Sequence, residues 1–477
     1  MKIASDSMRL VAAVLLVLIL FRCASFGAQD TMRPVALEGA LLIDGTGRPP
    51  IENSVLVIAG SKIVAAGKSG VIHIPNGADV IDVRGKTIMP ALINLHSHLG
   101  LTVGTKLSGQ SYTEENIRRQ LERYLSYGVG TVLSLGLDED SIYEIREAQH
   151  AGRFPGARVF TAGRGFGVEG GMPPAGSNRY RPDTPEEART DVQELARLHP
   201  DFVKIWVDDS FGREPKMPPA IYRAIIDEAH LQHLHVIAHE AYLGDAKALV
   251  DAGVDGLAHS IQDQMVDNEL ISAMKARRVF LIPTLVFEEW HFVFGETETW
   301  LDDPFFRAGL DPQATAALTS PEFIAKIRAN PINQEYRARL AMSKKNLKTL
   351  FDAGVKIGFG TDSGAPGPFL GQFEVYAKKN PETNGAASLR FLGYFEHREL
   401  QLMVDGGLTP MQAIVIATGT SAEILGAEKE FGTLSPGSQA NFLVTNANPL
   451  ENIRNTEKLS AVWQAGKRIA PITAERN

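Results

Sequence analysis

The chain has 477 residues, too many for one small core, since single cores stop growing near ~250–300 residues; it reads as one large domain with a smaller companion. Hydrophobic residues make up 44% and charged residues 22%, at a mean hydropathy of -0.07, the balance of an ordinary globular protein and not of a disordered one. A net charge of -8 and a pI near 5.9, with no Lys/Arg run, exclude a polyanion binder, so no nucleic-acid partner is expected.

Lys2 and Arg9 bracket a polar start, Leu10 to Phe21 is unbroken apolar sequence, and small residues follow around Ala24 to Ala28. This pattern predicts a signal peptide over residues 1–28 and an exported protein, periplasmic or secreted. The apolar run falls short of the roughly 20 residues of a spanning helix, so no membrane association is expected after cleavage. Cys23, the only cysteine, lies in this leader, where lipid attachment competes with plain cleavage near Ser25 or Gly27. A mature chain without thiols has neither disulfides nor thiolate ligands, and any metal site must draw on His, carboxylates or something rarer.

Ala36 to Ile43, Ser54 to Ala59, Lys62 to Ala66 and Asp79 to Val83 are Val/Ile/Leu-rich runs separated by Gly, Pro and Asn, as expected of a small antiparallel sheet. Phe442 to Thr445 and Leu459 to Gln464 have the same character, which predicts one small β-sandwich domain built from both chain ends, residues 33–87 and 429–472. Between them, residues 88–428 alternate apolar strands with amphipathic helices. The strands are Ile88 to Leu95, Thr131 to Leu135, Arg158 to Thr161, Phe202 to Val207, His235 to Ala238, Gly256 to Ala258, Val279 to Pro283 and Lys356 to Gly360. Helices fit between them, among them Thr113 to Tyr127, Pro185 to Leu198, Pro219 to Gln232, Gly244 to Ala252 and Asp267 to Ala276. Eight such steps predict an α/β fold, a (β/α)8 barrel of TIM type, with the active site at the C-terminal ends of the strands.

Five of the eight strands end in a candidate ligand or catalytic acid. The first leads into His96-Ser97-His98, where alternation predicts that both imidazoles face the same side and can share one metal ion. His239 and His259 follow the fifth and sixth strands directly, and neutral His is the commonest protein ligand for zinc and similar ions. The eighth ends in Gly360-Thr361-Asp362-Ser363-Gly364; Asp362 is the candidate general base, against the plainer reading of a helix cap. Lys204 lies inside the apolar run Phe202-Val203-Lys204-Ile205-Trp206-Val207, where an unpaired ammonium is costly. A salt bridge to Asp208 or Asp209 would compensate it. Alternatively, a desolvated lysine loses its proton, reacts with carbon dioxide and becomes a carbamate that bridges two metal ions, the reading favoured beside so many histidines.

Further motifs accompany these residues: the lead-in Gly85-Lys86-Thr87-Ile88-Met89-Pro90 to His96 and His98, Val203-Lys204-Ile205, Ala238-His239, Ala258-His259, Gly360-Thr361-Asp362, Leu408-Thr409-Pro410 to Ala413, and Gly432-Thr433-Leu434-Ser435-Pro436-Gly437. Over nearly the whole mature chain they resemble the amidohydrolase superfamily, in its imidazolonepropionase-like and Xaa-Pro or Xaa-Arg dipeptidase-like branch. The resemblance implies that His96, His98 and Asp362 hold one divalent ion and His239 and His259 the other, with carboxylated Lys204 and a hydroxide between them. Zinc suits this ligand set, and cobalt, manganese or nickel would also satisfy it. It further implies a hydrolase acting on carbon–nitrogen bonds of a small-molecule or dipeptide-like substrate.

The sequence departs from the family pattern at Gly170-Gly171-Met172, where dipeptidase-like relatives often have Gly-Gly-His, and at Ala440-Asn441-Phe442, where Ala-Asp-hydrophobic is common. Tyr242 looks like a family tyrosine that touches substrate, shifted by one residue. The stretch from Phe287 to Asn330 is rich in aromatics and predicts an apolar pocket or, equally, an insertion packed on the barrel, with Arg164 and Arg398 as candidate partners for a substrate carboxylate. Two other functions stay open: a mononuclear imidazolonepropionase-type cyclic amide hydrolase or deaminase, and a non-catalytic exported ligand-binding barrel. The chain could also form a homo-oligomer.

Overall fold

The computed structural model describes residues 33–472 except 104–105, 108–110, 174–177, 211, 297–299, 311–314, 317 and 365–390. The predicted leader and Cys23 lie outside the described residues. Both chain ends enter one eight-stranded sheet, in the order Lys467–Ile469, Leu459–Gln464, Phe442–Thr445, Thr87–Pro90, Val35–Leu42, Ile51–Ala59 and Lys62–Lys68, with Asp79–Asp82 also paired to Val35–Leu42. The antiparallel expectation needs correction, because Val35–Leu42 runs parallel to both Asp79–Asp82 and Thr87–Pro90. The chain between residues 68 and 79 returns to the start of the sheet before running on in its original direction, so no hairpin forms there.

The expected strand from Ile88 to Leu95 is in fact two. Thr87–Pro90 belongs to the end sheet, and Leu92–Ser97 begins the parallel part of the fold. Pro90, which has no backbone N–H to donate, stands where the chain changes sheets. Parallel pairing then runs through Leu92–Ser97, Val129–Ser134 and Arg158–Thr161, and through Val203–Trp206, Val236–His239, Gly256–Ala258 and Phe280–Ile282. Parallel bridges join Phe166 to Ile205, Leu281 to Ile357 and Ser97 to Ser363. The eighth predicted strand contributes such bridges and backbone bonds, including Leu95 N–H to the Phe359 carbonyl at 2.7 Å, and no continuous ladder.

Apolar side chains facing inward from these strands, Ile93, Leu95, Leu133, Phe160, Ile237 and Ile282 among them, form a core cluster with Phe431. Helices between the strands start where the sequence supplies a cap: Thr113, Thr184 and Asp267 accept the N–H of the third residue of their helices. The strand Phe442–Thr445 ties the two parts together through simple alternation. Phe442 and Val444 join the end-sheet core, with Phe442 stacked on Trp463 at 5.3 Å, whereas Leu443 enters the large core of the helical layer. We predict that Leu443→Ala lowers unfolding stability by about 2–5 kcal/mol, read as a shift in urea midpoint, because it opens a cavity on the helical side.

Candidate metal centre

His96 and His98 are 1% and 4% exposed, and their Nε2 atoms lie 3.4 and 3.0 Å from Asp362 Oδ1. The three ligand atoms all fall within 4.8 Å of one another. Bonds of about 2.0–2.2 Å in a tetrahedral shell place neighbouring ligand atoms about 3.4 Å apart, so the spacing fits a shared ion. His98 Nδ1 lies 3.0 Å from the Gly136 carbonyl, an oxygen that can only accept, so Nδ1 carries a proton and Nε2 turns toward the carboxylate. Burial and the nearby Lys204 hold His96 well below the ordinary imidazole range, which keeps it neutral. Two ring nitrogens converging on one buried carboxylate offer a cation three ligands. The two rings reach the centre where pairing is irregular between Asn94 and Ser97; strict alternation from inward-facing Leu95 would have turned them away.

His239 and His259 close the other side. Their ring centroids are 4.3 Å apart, and His259 lies 4.8 Å from His96. His239 Nε2 donates to Asp208 Oδ2 at 2.8 Å, so Nδ1 is the ring nitrogen that would face an ion, and His259 Nδ1 bonds Thr284 Oγ1 at 2.8 Å. Lys204 is 0% exposed, and its Nζ has no hydrogen-bond partner among the described residues. The salt bridge to Asp208 or Asp209 is therefore absent: Asp208 is taken by His239, and Asp209 by Tyr242 and Lys216. Burial pushes the Lys204 amine down to about 7, offset in part by the charge of Asp362. Gly136 leaves room for it, since a Cβ there would stand 3.1 Å from Lys204 Cγ and 2.5 Å from the Trp206 ring.

The strand ends hold this geometry under backbone strain. His259, Thr284 and Asp362 adopt left-handed φ of 75°, 47° and 57°, at about 1–3 kcal/mol each for non-glycine residues. Asp138, buried nearby, accepts from Tyr112, Ser134 and Thr161 at 2.9, 2.7 and 2.6 Å, and burial raises its pKa to about 6.

A cavity of 420 Å³ is lined by Asp209, Gly212, Lys216, Tyr242, Glu335 and Arg339. Tyr242 donates to Asp209 at 3.1 Å, and Arg339 donates to Gln262, three residues past His259, at 2.7 Å. The lining is charged and polar, unlike the apolar pocket expected from the insertion. There, Trp290, Phe294 and Phe306 are fully buried, and Trp300 and Phe306 pack on Tyr394; Phe287 instead reaches His259, at 5.0 Å. Both arginines named from sequence pair with acids of the chain itself. Arg398 forms a two-pronged pair with Glu289 at 2.6 and 2.8 Å, and Arg164 pairs with Asp140 at 2.5 Å over the Tyr180 ring. Lys216 and Arg339 escaped sequence reasoning because no pattern marks them. Asp208 had a usable cue, since a histidine bound to metal commonly gives its second N–H to a carboxylate. We predict that purified protein dialysed against zinc retains metal measurable by plasma mass spectrometry, and that Asp362→Ala or His98→Ala lowers its affinity at least 10-fold.

Sequence comparison gives the chain a place. A profile of the amidohydrolase family matches residues 87–472. An uncharacterised protein of Mycobacterium tuberculosis is 27% identical over 268 residues, 54% of this chain and 64% of that protein, so the chain covers less than two thirds of that relative's length. The imidazolonepropionase of Streptomyces griseus is 22% identical over 443 residues, covering 89% of this chain and 95% of the relative. Among solved structures, a candidate prolidase from Bifidobacterium longum aligns with a TM-score of 0.68 at 26% identity, covering 94% of this chain and 97% of that one. A Xaa-Pro dipeptidase with methionine bound in its active site aligns with a TM-score of 0.68 at 22% identity, covering 91% and 99%. These neighbours imply a TIM-type barrel, and with a profile match over most of its length the chain belongs to the amidohydrolase family.

Proposed function

We propose that this protein is an exported, binuclear metal-dependent hydrolase that cleaves an amide, peptide or related ester bond of a small, dipeptide-like substrate. The observation that carries the reading is the convergence of His96, His98 and Asp362, with His259 and His239 ring to ring beside His96, and the buried amine of Lys204, which has no hydrogen-bond partner among the described residues and is coupled by charge to His96 and Asp362. The donor set fits two ions: His96, His98 and Asp362 would hold one, and His239 and His259 the other. Lys204 would lie between them as a carbamate. Its neutral Nζ would attack the carbon of carbon dioxide, a C–N bond would form as one C=O π bond opens, one proton would leave the nitrogen, and a single negative charge shared by two oxygens would stand where the amine did. Zinc is the natural occupant for nitrogen and oxygen ligands.

When bound, the ions supply a water acidic enough to act near neutral pH and polarise the scissile carbonyl. Asp362 then takes the proton of the attacking water and returns it to the leaving nitrogen. Tyr242, Lys216 and Arg339 line the space where the charged groups of a dipeptide-like substrate would lie. The parallel strands are read as a closed (β/α)8 barrel over residues 88–428, with the end sheet as a β-sandwich companion and residues 1–28 as the export leader. A second reading has support of its own: the tight triad of His96, His98 and Asp362 suffices for one ion, as an imidazolonepropionase-type enzyme would need.

A screen of metal-loaded protein against dipeptides, N-acyl amino acids and cyclic amides tests the activity, with metal counted per chain. We expect about two ions per chain, turnover of an acyclic amide, and a 10²–10⁴-fold fall in kcat for Asp362→Asn. One ion per chain with turnover confined to cyclic amides selects the second reading. Undiminished hydrolysis in Asp362→Asn refutes its role as base.

A further inference from the structure

Helix Tyr394–Asp405 buries two carboxyl groups within one turn: Glu396 and Glu399 are both 0% exposed. Charge buried this deep is costly unless hydrogen bonds compensate it, and each group spends its bonds on a different strand end of the metal centre. Glu396 Oε1 accepts from Asn94 Nδ2 at 2.6 Å and from the hydroxyls of Thr361 and Ser363, both at 2.8 Å. Thr361 and Ser363 flank Asp362, so three donors fasten to one oxygen the turn that carries the carboxylate. Glu396 Oε2 accepts the Gly393 N–H at 2.7 Å and fixes the start of its own helix.

Glu399 serves the neighbouring strand end. Its two oxygens accept the backbone N–H groups of Leu285 and Val286 at 2.9 and 2.7 Å. Those residues follow Thr284, which is itself left-handed and whose Oγ1 bonds His259 Nδ1 at 2.8 Å. The chain of contacts therefore runs from Glu399 through the Thr284 backbone to the imidazole of His259. The same helix is anchored from behind by His397, whose ring bonds Thr456 Oγ1 at 3.0 Å and the Tyr127 carbonyl at 2.7 Å.

We propose that Glu396 and Glu399 are positioning residues, one holding Asp362 and the other His259 in the geometry that binds metal, so that a single helix sets both halves of the centre. This rests on the metal-dependent reading above. Both φ values at Asp362 and His259 are strained, and a ligand in a strained conformation keeps its aim only while its surroundings over-determine it. Removing either carboxylate would let one half relax while the other stays ordered.

The test is cobalt titration followed by d–d absorption, together with steady-state kinetics, on the full chain and five variants. Glu396→Gln is expected to weaken uptake of one cobalt ion 10–100-fold, and Glu399→Gln to weaken uptake of the other by a similar factor. Thr284→Val, which removes only the hydroxyl on His259, should reproduce the Glu399→Gln spectrum. Gln401→Ala, on the same helix but bonded to Glu457 and Arg398, should bind cobalt as the wild type does. At saturating cobalt kcat falls in the three affected variants while KM holds. Wild-type affinity and spectra in Glu396→Gln and Glu399→Gln overturn the inference, as does equal weakening in Gln401→Ala. If a glutamate variant does not fold, Ser363→Ala and Thr284→Val carry the test alone, with the same outcomes. Failure of the wild type to take up cobalt overturns the metal reading and this inference together, whereas normal wild-type uptake with unchanged variants overturns this inference only.

Discussion

The amine of Lys204 is the constraint from which the rest of the centre follows. It stands in the middle of a four-residue strand, with Val203, Ile205 and Trp206 buried around it and no hydrogen-bond partner for Nζ among the described residues. A buried ammonium in that state would cost several kcal/mol, and burial alone carries the amine toward its neutral form. On the proposed reading, an amine pushed down to about 7 beside these imidazoles and Asp362 is an incomplete ligand set. Converted to a carbamate it becomes the anion such a set lacks, and the proposed chemistry follows from that single change.

The histidines are aimed by groups one or two strands away, His98 by the Gly136 carbonyl, His239 by Asp208 and His259 by Thr284. These partners fix which nitrogen of each ring faces the centre. Beyond them, Asn94, Thr361, Ser363 and Glu396 form a compact buried network, with the Tyr124 hydroxyl 2.6 Å from Ser363 Oγ. Strain at three successive strand ends is tolerated because these contacts leave the backbone no alternative.

The parts of this arrangement legible in the sequence were those in which a polar residue interrupts or ends an apolar run. His96, His98, Lys204, His239, His259 and Asp362 all have that local context; the structure groups His96, His98 and Asp362 within 4.8 Å and sets the rings of His259 and His239 in line beside His96. Strand positions such as Arg158–Thr161, Gly256–Ala258 and Phe442–Thr445 were legible for the same local reason. Long-range pairing was not. Arg398 reads as a candidate partner for a substrate carboxylate until Glu289, 109 residues away, is brought against it, and nothing local marks Glu396, whose partner Asn94 lies 302 residues away. The mixed sheet and the break at Pro90 escaped because alternation shows which residues are strand-like and not which partner they choose.

The most direct test of the central claim is anomalous diffraction from crystals of zinc- or cobalt-loaded protein. Two peaks about 3.5–4 Å apart are predicted. One should lie against His96, His98 and Asp362 and the other against His239 and His259, with the Lys204 side chain lengthened by a carboxylate between them. A single peak beside His96 and His98, with Lys204 ending in a bare amine, would contradict it.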